Sequence, residues 1–479
     1  MNILILDIGT TSMRGILFDH AGNRLAIARR ENHLVHMGEV MIEEDPDEFI
    51  HHTVGICREI TSGFTVDAVA ITAQRSSVIP VDSDGEPLLA AIMWQDTRNK
   101  DIIAEMARYN DRLLQITGAQ ASTVFSAGKM TWIRRYQPNI YARTARFLNI
   151  PEFVVRKMTG CFVSDDTYAS RTGLLNLRTL DWEKELLELY EIDENRLCRR
   201  IRPGQVAGYV TNAFAKLSGL TTGIPVIHSG GDQQCAAIGH GVLREGDLSI
   251  TIGTGGFLCG ACETLPEVLP EGMIHNCASI AGTYVREANV LSCGAAYDWC
   301  ARSLYGMETI DHDLLEAELN HENFVSSCLV VPYFAGKGAP DWDPGARAMF
   351  ANVNTATRRS ELFKGVMEGV FMEIGTAVRR FGGTGNIHTG GGLTLSRALD
   401  QLQADVYGRR VYVVKDSEAT ARGALSVALC GLGLFASVAQ AAETIGCQEM
   451  EVFEPDAARH AAYVVKQQEM KALYERTRS

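Results

Sequence analysis

ILILDIGTTSMRG, residues 3–15, decides the fold. Ile3 and Ile5 share a side with Asp7 while Leu4, Leu6 and Ile8 line the other, so residues 3–8 read as a strand apolar on both faces and buried in mid-sheet. A carboxylate at the end of such a strand is desolvated, which is costly without a counter-charge. Gly9, Thr10, Thr11 and Ser12 follow at once. The glycine permits a tight turn whose amides point inward beside the hydroxyls, a combination that binds phosphate oxygens; Gly and Thr also suit an ordinary hairpin turn. For Asp7 the two readings are a turn-capping carboxylate and a partner of a hydrated Mg2+ that bridges it to phosphates.

The same device returns in DLSITIGTGGFLCGACE, residues 247–263, where an apolar strand breaks at Ile252-Gly253-Thr254 and resumes. A repeated strand-turn-strand near each domain start predicts two similar domains facing one another. Two matching turns favour phosphate over chance. Neither is a Walker loop, because no Gly-Lys-Ser/Thr follows, and neither is a Rossmann fingerprint, because a hairpin follows instead of a helix.

The remaining length agrees. A chain of 479 residues is too long for one core and suits two domains, or three. Its net charge of −13 and pI near 5.5 argue against nucleic-acid or anionic-membrane partners, so any phosphate site must be built locally from amides and a divalent cation. The apolar start is too short for a signal segment and no apolar run is long enough to span a bilayer, so a cytoplasmic protein is expected. Twelve cysteines in apolar contexts read as small buried hydrophobes. Cys259 and Cys262 have metal-ligand spacing, but without a second close pair they read as strand residues.

Mixed strands precede a helix opened by Asp45 and Pro46, and strand-helix alternation follows, which predicts an α/β layer fold. From about 100 to 200 the pattern is mostly helical, an insertion that can wall one side of a cleft. IPVIHSGGDQQCAAIGHGV, residues 224–242, gives strand, glycine turn and helix start. Asp232 fits the helix N-cap on local grounds; a helix N-terminus also favours its ionised form, which suits a base beside phosphoryl chemistry. Gly390, Gly391 and Gly392 precede a helix and fit either close ligand approach or tight packing. Arg75 and Trp94-Gln95 are polar candidates in the first domain.

DIGTTS, WQDTR, GKMTWI, ASRTGLLNLRTLDW, GGDQQCAAIG, TIGTGG, APDWDPGAR, GGGLTLS and EATARGAL occur in that order, and over nearly the whole chain the sequence resembles the FGGY carbohydrate kinases of the actin/hexokinase/Hsp70 superfamily. The resemblance implies two ribonuclease-H-like (actin-like ATPase) domains flanking a deep cleft. Residues 1–241 would bind the sugar or polyol and carry the helical insertion, and 242–479 would bind ATP. Asp232 becomes the general base. Thr10, Thr11, Ser12, Arg14, Gly253 and Thr254 surround the phosphates, and Gly294, Asp298, Gly391, Gly392 and Ser396 lie near the nucleotide. Asp7 and Asp232 support Mg2+. Arg75, Ser76, Trp94, Val124, Asp232 and Gln233 face the acceptor. A homodimer is compatible with this kinship.

Among subfamilies the motifs look most like glycerol kinases, with departures at the acceptor: Ser76 stands for the family's Glu and Val124 for its Tyr. Asp298 and Ser396 stand where glycerol kinases carry Gln and Asn. Loss of a carboxylate and a phenol removes hydrogen bonds that discriminate glycerol, and Val124 leaves space for a longer polyol or ketose. The expected activity is ATP-dependent phosphorylation of a primary hydroxyl. A nucleotide-gated binding protein or chaperone-like ATPase is the alternative.

Overall fold

Asn2–Ile8 (β1) forms the expected central strand of a six-stranded sheet, with Ser12–Asp19 (β2) antiparallel on one side and Arg24–Glu31 (β3) beyond it. On its other side lie parallel Ala68–Ala73 (β4), then Pro225–Gly231 (β6), with Val206–Tyr209 (β5) on the edge. The computed structural model describes residues 1–321, 325–338, 343, 345–415, 418–446 and 450–477. Of the sequence motifs, residues 339–342 and 344 in APDWDPGAR lie outside the described residues.

The second sheet repeats the first. Leu248–Ile252 (β7) pairs antiparallel with Gly256–Cys262 (β8), which is followed across the sheet by Tyr284–Val290 (β10) and the added Ile274–Cys277 (β9). On its other side β7 is parallel to Ile387–Gly390 (β11), then come Val411–Val414 (β12) and Met450–Phe453 (β13). Apart from β9, the strand order and directions match those of the first sheet, so the duplicated turn reflects a duplicated layer.

The two-sided apolarity of β1 has two causes. Leu4, Leu6 and Ile8 pack with Phe49, Ile56 and Ile60 of the helix Pro46–Thr61. That helix starts as expected, with the Asp45 carboxylate accepting from the Asp47 amide at 3.0 Å and Pro46 in the first turn. Ile3 and Ile5, with Ile16, Phe18, Ala68 and Ala70, pack against Ala421, Ala424, Leu425 and Ala428 of the helix Ala419–Gly431. A helix from late in the chain therefore covers the inner face of the first sheet.

The Ala419–Gly431 helix follows β12 as the helix Asp232–Gly239 follows β6, and the two cross where neither carries a side chain. A Cβ on Gly239 would fall 1.9 Å from the Ala419 carbonyl oxygen, and one on Gly423 1.8 Å from the Cys235 carbonyl oxygen. Residues 100–200 are helical as expected, but the short strands Arg146–Leu148 and Val163–Asp165 interrupt them. Much of this insertion has its own core around Met130, Ile133, Phe147 and Leu186. No described helix is long and apolar enough to cross a membrane.

Because the Gly423 contact is with backbone, relief requires the helices to separate. Gly423→Ala should destabilise the protein by about 2–3 kcal/mol in urea unfolding. Gly63→Ala, where a Cβ meets nothing within 4 Å, should change stability by less than about 0.5 kcal/mol. Equal midpoints for the two variants would contradict the close crossing.

Candidate active site

Asp7 sits at the end of β1, only 5% exposed, with Arg14 opposite it on β2. Burial raises its carboxyl pKa, and the Arg14 guanidinium, ion-paired and hydrogen-bonded to it, opposes the rise. Arg14 also reaches Glu418 at 3.1 Å, at the head of the late-chain helix. The charge at the strand end is thus shared across the two halves.

The turn after β1 closes through the Gly9 amide on the Ser12 carbonyl at 3.0 Å, and Asn32 braces it by donating from Nδ2 to the Gly9 carbonyl at 2.9 Å. Thr10 is engaged inward: its hydroxyl contacts Gln74 Oε1 at 3.3 Å and accepts from Trp94 Nε1 at 3.1 Å. Thr11 is exposed and Ser12 half-buried. In the matching turn Gly253 and Thr254 are exposed. Their carbonyls accept from Gly294 and Cys293 at 2.8 and 2.9 Å, docking the start of the helix Gly294–Ser303 on the turn. A Cβ on Gly294 would strike the Gly253 carbonyl oxygen at 2.5 Å, and one on Gly391, whose φ is +106°, the Ile252 carbonyl oxygen at 2.4 Å. Gly253, Thr254, Gly294 and Gly391 therefore meet at one place, and Gly392 faces open space.

A 3-10 turn, Gly392–Leu395, separates the triple glycine from the helix Arg397–Tyr407, so the helix begins later than the sequence suggested. Ser396 caps that helix, accepting from the Leu399 amide at 3.3 Å and donating to Glu316. Asp298 is half-buried one turn into Gly294–Ser303.

Asp232 is the first residue of its helix and Gly231 the cap, a correction to the N-cap reading. Gly230, at φ +100°, turns the chain so that Gly231 takes the extended cap conformation. Three side chains fix this turn: Tyr168 Oη and Thr72 Oγ1 each donate to the Gly230 carbonyl at 2.8 Å, and Thr167 Oγ1 accepts from the Gly231 amide at 2.9 Å. The Asp232 carboxylate accepts from the Gln233 amide at 2.7 Å, and its side chain is 23% exposed. Burial pushes its pKa up to about 6; the nearby Arg75 opposes this, while the charges of Asp7 and Glu287 add to it.

Arg75 lies 4.0 Å from Asp232 and 2.8 Å from Glu287 of β10. Ser76, at φ +74°, is fully buried, and its hydroxyl donates to the Arg171 carbonyl at 3.4 Å. Trp94, Val124 and Gln233 are half-buried. Sequence reasoning gave no structural role to three buried charges near these residues, Lys129, Arg171 and Glu287. Lys129 is fully buried and donates to the carbonyls of Thr123 (2.5 Å), Val124 (2.9 Å) and Trp94 (3.5 Å), tying the Thr123-Val124 segment to Trp94. Its position in GKMTWI is a signal only through the family pattern.

The residues fit a divalent cation. Asp7 and Asp232 are oxygen donors, and the charge of Asp7 disfavours ionisation of Asp232, which a cation beside both would relieve. No group of three or more His, Cys, Asp or Glu among the described residues forms a ready-made cage.

Comparison with known proteins bears on this geometry. The family model "FGGY family of carbohydrate kinases, N-terminal domain" matches residues 2–239, and the corresponding C-terminal domain model matches 248–432. The glycerol kinase of Thermococcus kodakarensis is 29% identical over 470 residues, 95% of this chain and 92% of its own. A xylulose kinase structure from Rhodospirillum rubrum superposes with TM-score 0.92 at 24% identity, covering 99% of this chain and 98% of that one. A gluconate kinase from Lactobacillus acidophilus gives 0.91 at 22%, covering 98% and 97%. The fold is thus the two-domain, actin-like fold expected from the sequence.

Lys129 offers a direct check of this packing. Burial lowers its pKa to about 7 from an ordinary 10.5, so between those values the unfolded chain holds the extra proton and stability rises with pH. The stability of the wild type relative to Lys129→Met should therefore increase between pH 7 and 9.5, by roughly 3 kcal/mol in urea unfolding. Parallel curves for the two proteins would show that Lys129 is not desolvated.

Proposed function

Because the chain belongs to the FGGY family of carbohydrate kinases, we propose that Asp232 is its general base and that the acceptor is a polyol or ketose longer than glycerol, phosphorylated on a primary hydroxyl. The reaction class is ATP-dependent phosphorylation of a sugar or polyol. A chaperone-like ATPase without an acceptor is not favoured by this kinship. One observation carries the assignment of the base: a carboxylate with pKa near 6 heads a helix, with Arg75 and the Asp7 charge beside it.

In this reading the acceptor hydroxyl gives its proton to Asp232 Oδ as its oxygen attacks the γ-phosphorus in line, and ADP leaves. Thr11, Ser12, Gly253 and Thr254 hold the phosphates through hydroxyls and amides, with Thr10 supporting the turn from behind. Asp7 and Asp232 would hold Mg2+, which supplies charge neutralisation on the phosphates when bound. Gly294, Gly391, Gly392, Asp298 and Ser396 border the nucleotide, and Arg14 balances Asp7. Arg75, Trp94, Val124 and Gln233 contact the acceptor, with Ser76 behind them. Closure of residues 1–241 on 242–479 excludes water, the competing acceptor.

The aliphatic Val124 in place of a phenol supports the longer acceptor, and the relatives' different named substrates are consistent with an adjustable wall. ADP release measured across glycerol, pentitols, ketopentoses and aldonates should depend on the acceptor and favour a five- or six-carbon compound. Turnover indifferent to acceptor would refute a kinase, and a preference for glycerol would refute the longer acceptor. Asp232→Asn should lower kcat by about 10³-fold while leaving ADP affinity within about two-fold. With the base active only when ionised, kcat/KM should fall as pH drops through about 6. A profile flat from pH 5 to 7.5 would remove Asp232 from that role.

A further inference from the structure

Glu287 lies inside β10, opposite Cys259 on β8 and Ile274 on β9, and is 2% exposed. A carboxylate in the interior of a sheet needs partners, and both of its partners come from the other half of the molecule. Oε1 accepts from Arg75 Nη1 at 2.8 Å and Oε2 from Arg171 Nη1 at 3.3 Å. Arg75 follows β4, Arg171 follows the helix Asp166–Ser170, and each is 8% exposed. The Arg171 guanidinium also lies over the Phe125 ring, 4.7 Å from its centroid.

Arg75 has a second carboxylate within reach. Its Nε is 4.0 Å from Asp232 Oδ1, close enough for electrostatic coupling but beyond a hydrogen bond. The stem of Arg75 is confined: a Cβ on Gly231 would fall 2.5 Å from its Cδ, so the chain carrying Asp232 presses directly on it. Arg75 thus lies between Glu287, at 2.8 Å, and Asp232, at 4.0 Å.

We propose that Glu287 is a positioning residue that holds Arg75 away from Asp232, with Arg171 as its second anchor, and so keeps the Asp232 carboxylate available to take a proton. The proposal rests on Asp232 being the base. Without the Glu287 charge, the nearest anion to Arg75 is Asp232, and a shift of about 1 Å would convert the 4.0 Å contact into a charge-assisted hydrogen bond. A carboxylate paired in that way is a weaker base and must break the pair before accepting a proton. Arg171 completes the arrangement: burial and the like charge of Arg75 lower its pKa to about 10, and Glu287 counters both effects.

The test uses the protein with whichever pentitol or ketopentose turns over fastest in the acceptor panel. Glu287→Gln should lower kcat by about ten-fold or more, a larger change than in the acceptor KM, with ADP affinity within about two-fold. Glu287→Asp keeps the charge but is too short to span both guanidiniums, and should recover part of the lost kcat. A kcat within about two-fold of wild type in Glu287→Gln overturns the proposal. Should Glu287→Gln lose ADP binding, the decision passes to Glu287→Asp, where a kcat no higher than that of Glu287→Gln overturns it equally. The two readings fail separately: an active Asp232→Asn removes the base itself, whereas an inactive Asp232→Asn beside an unaffected Glu287→Gln removes only the role of Glu287.

Discussion

Two helices touching backbone to backbone set how the halves of this molecule face each other. Gly239 and Gly423 approach the opposite helix so closely that neither tolerates a Cβ without movement. Each helix follows an equivalent strand of its own sheet, so their contact joins the duplicated layers. The site inherits its geometry from this contact. Asp232 heads one of these helices and Glu418 immediately precedes the other. Arg14 spans from Asp7 to Glu418 across the same junction.

Beside that contact lies a set of opposed charges. Asp7 and Glu287 are buried carboxylates and Asp232 is a half-buried one, and Arg14, Arg75 and Arg171 are the cations set against them. Breaking a buried pair by removing one member leaves an uncompensated charge, which costs far more than the pair contributes as a whole. Such a set is therefore weak evidence for stability. Burial raises the Asp232 pKa to about 6, and Arg75 at 4.0 Å opposes that rise without a hydrogen bond to the carboxylate.

Much of this was legible in the sequence because it is local. The two-sided apolarity of residues 3–8 marked a central strand, the repeat of Ile-Gly-Thr marked the duplication, and Asp45-Pro46 marked a helix start. What escaped depends on distance or on backbone detail. Glu287 meets Arg75 and Arg171 across 212 and 116 residues, and no local pattern signals either pair. Asp232 looked like a cap, but the φ of +100° at Gly230 moves that role to Gly231. Thr10 looked like a phosphate hydroxyl; its partners Gln74 and Trp94 come from segments that only the folded chain brings alongside. Ser76 resembled a substrate contact until its left-handed backbone directed the hydroxyl to Arg171.

The helix Ala419–Gly431 covers Ile3, Ile5, Ile16 and Phe18, residues that lie far upstream of it in the chain. On the ribosome, more than four hundred residues must be translated before that greasy surface finds its lid. The first layer thus stays unfinished until this helix is made, and through that interval the nascent chain carries an open apolar face that cellular holdases are suited to guard.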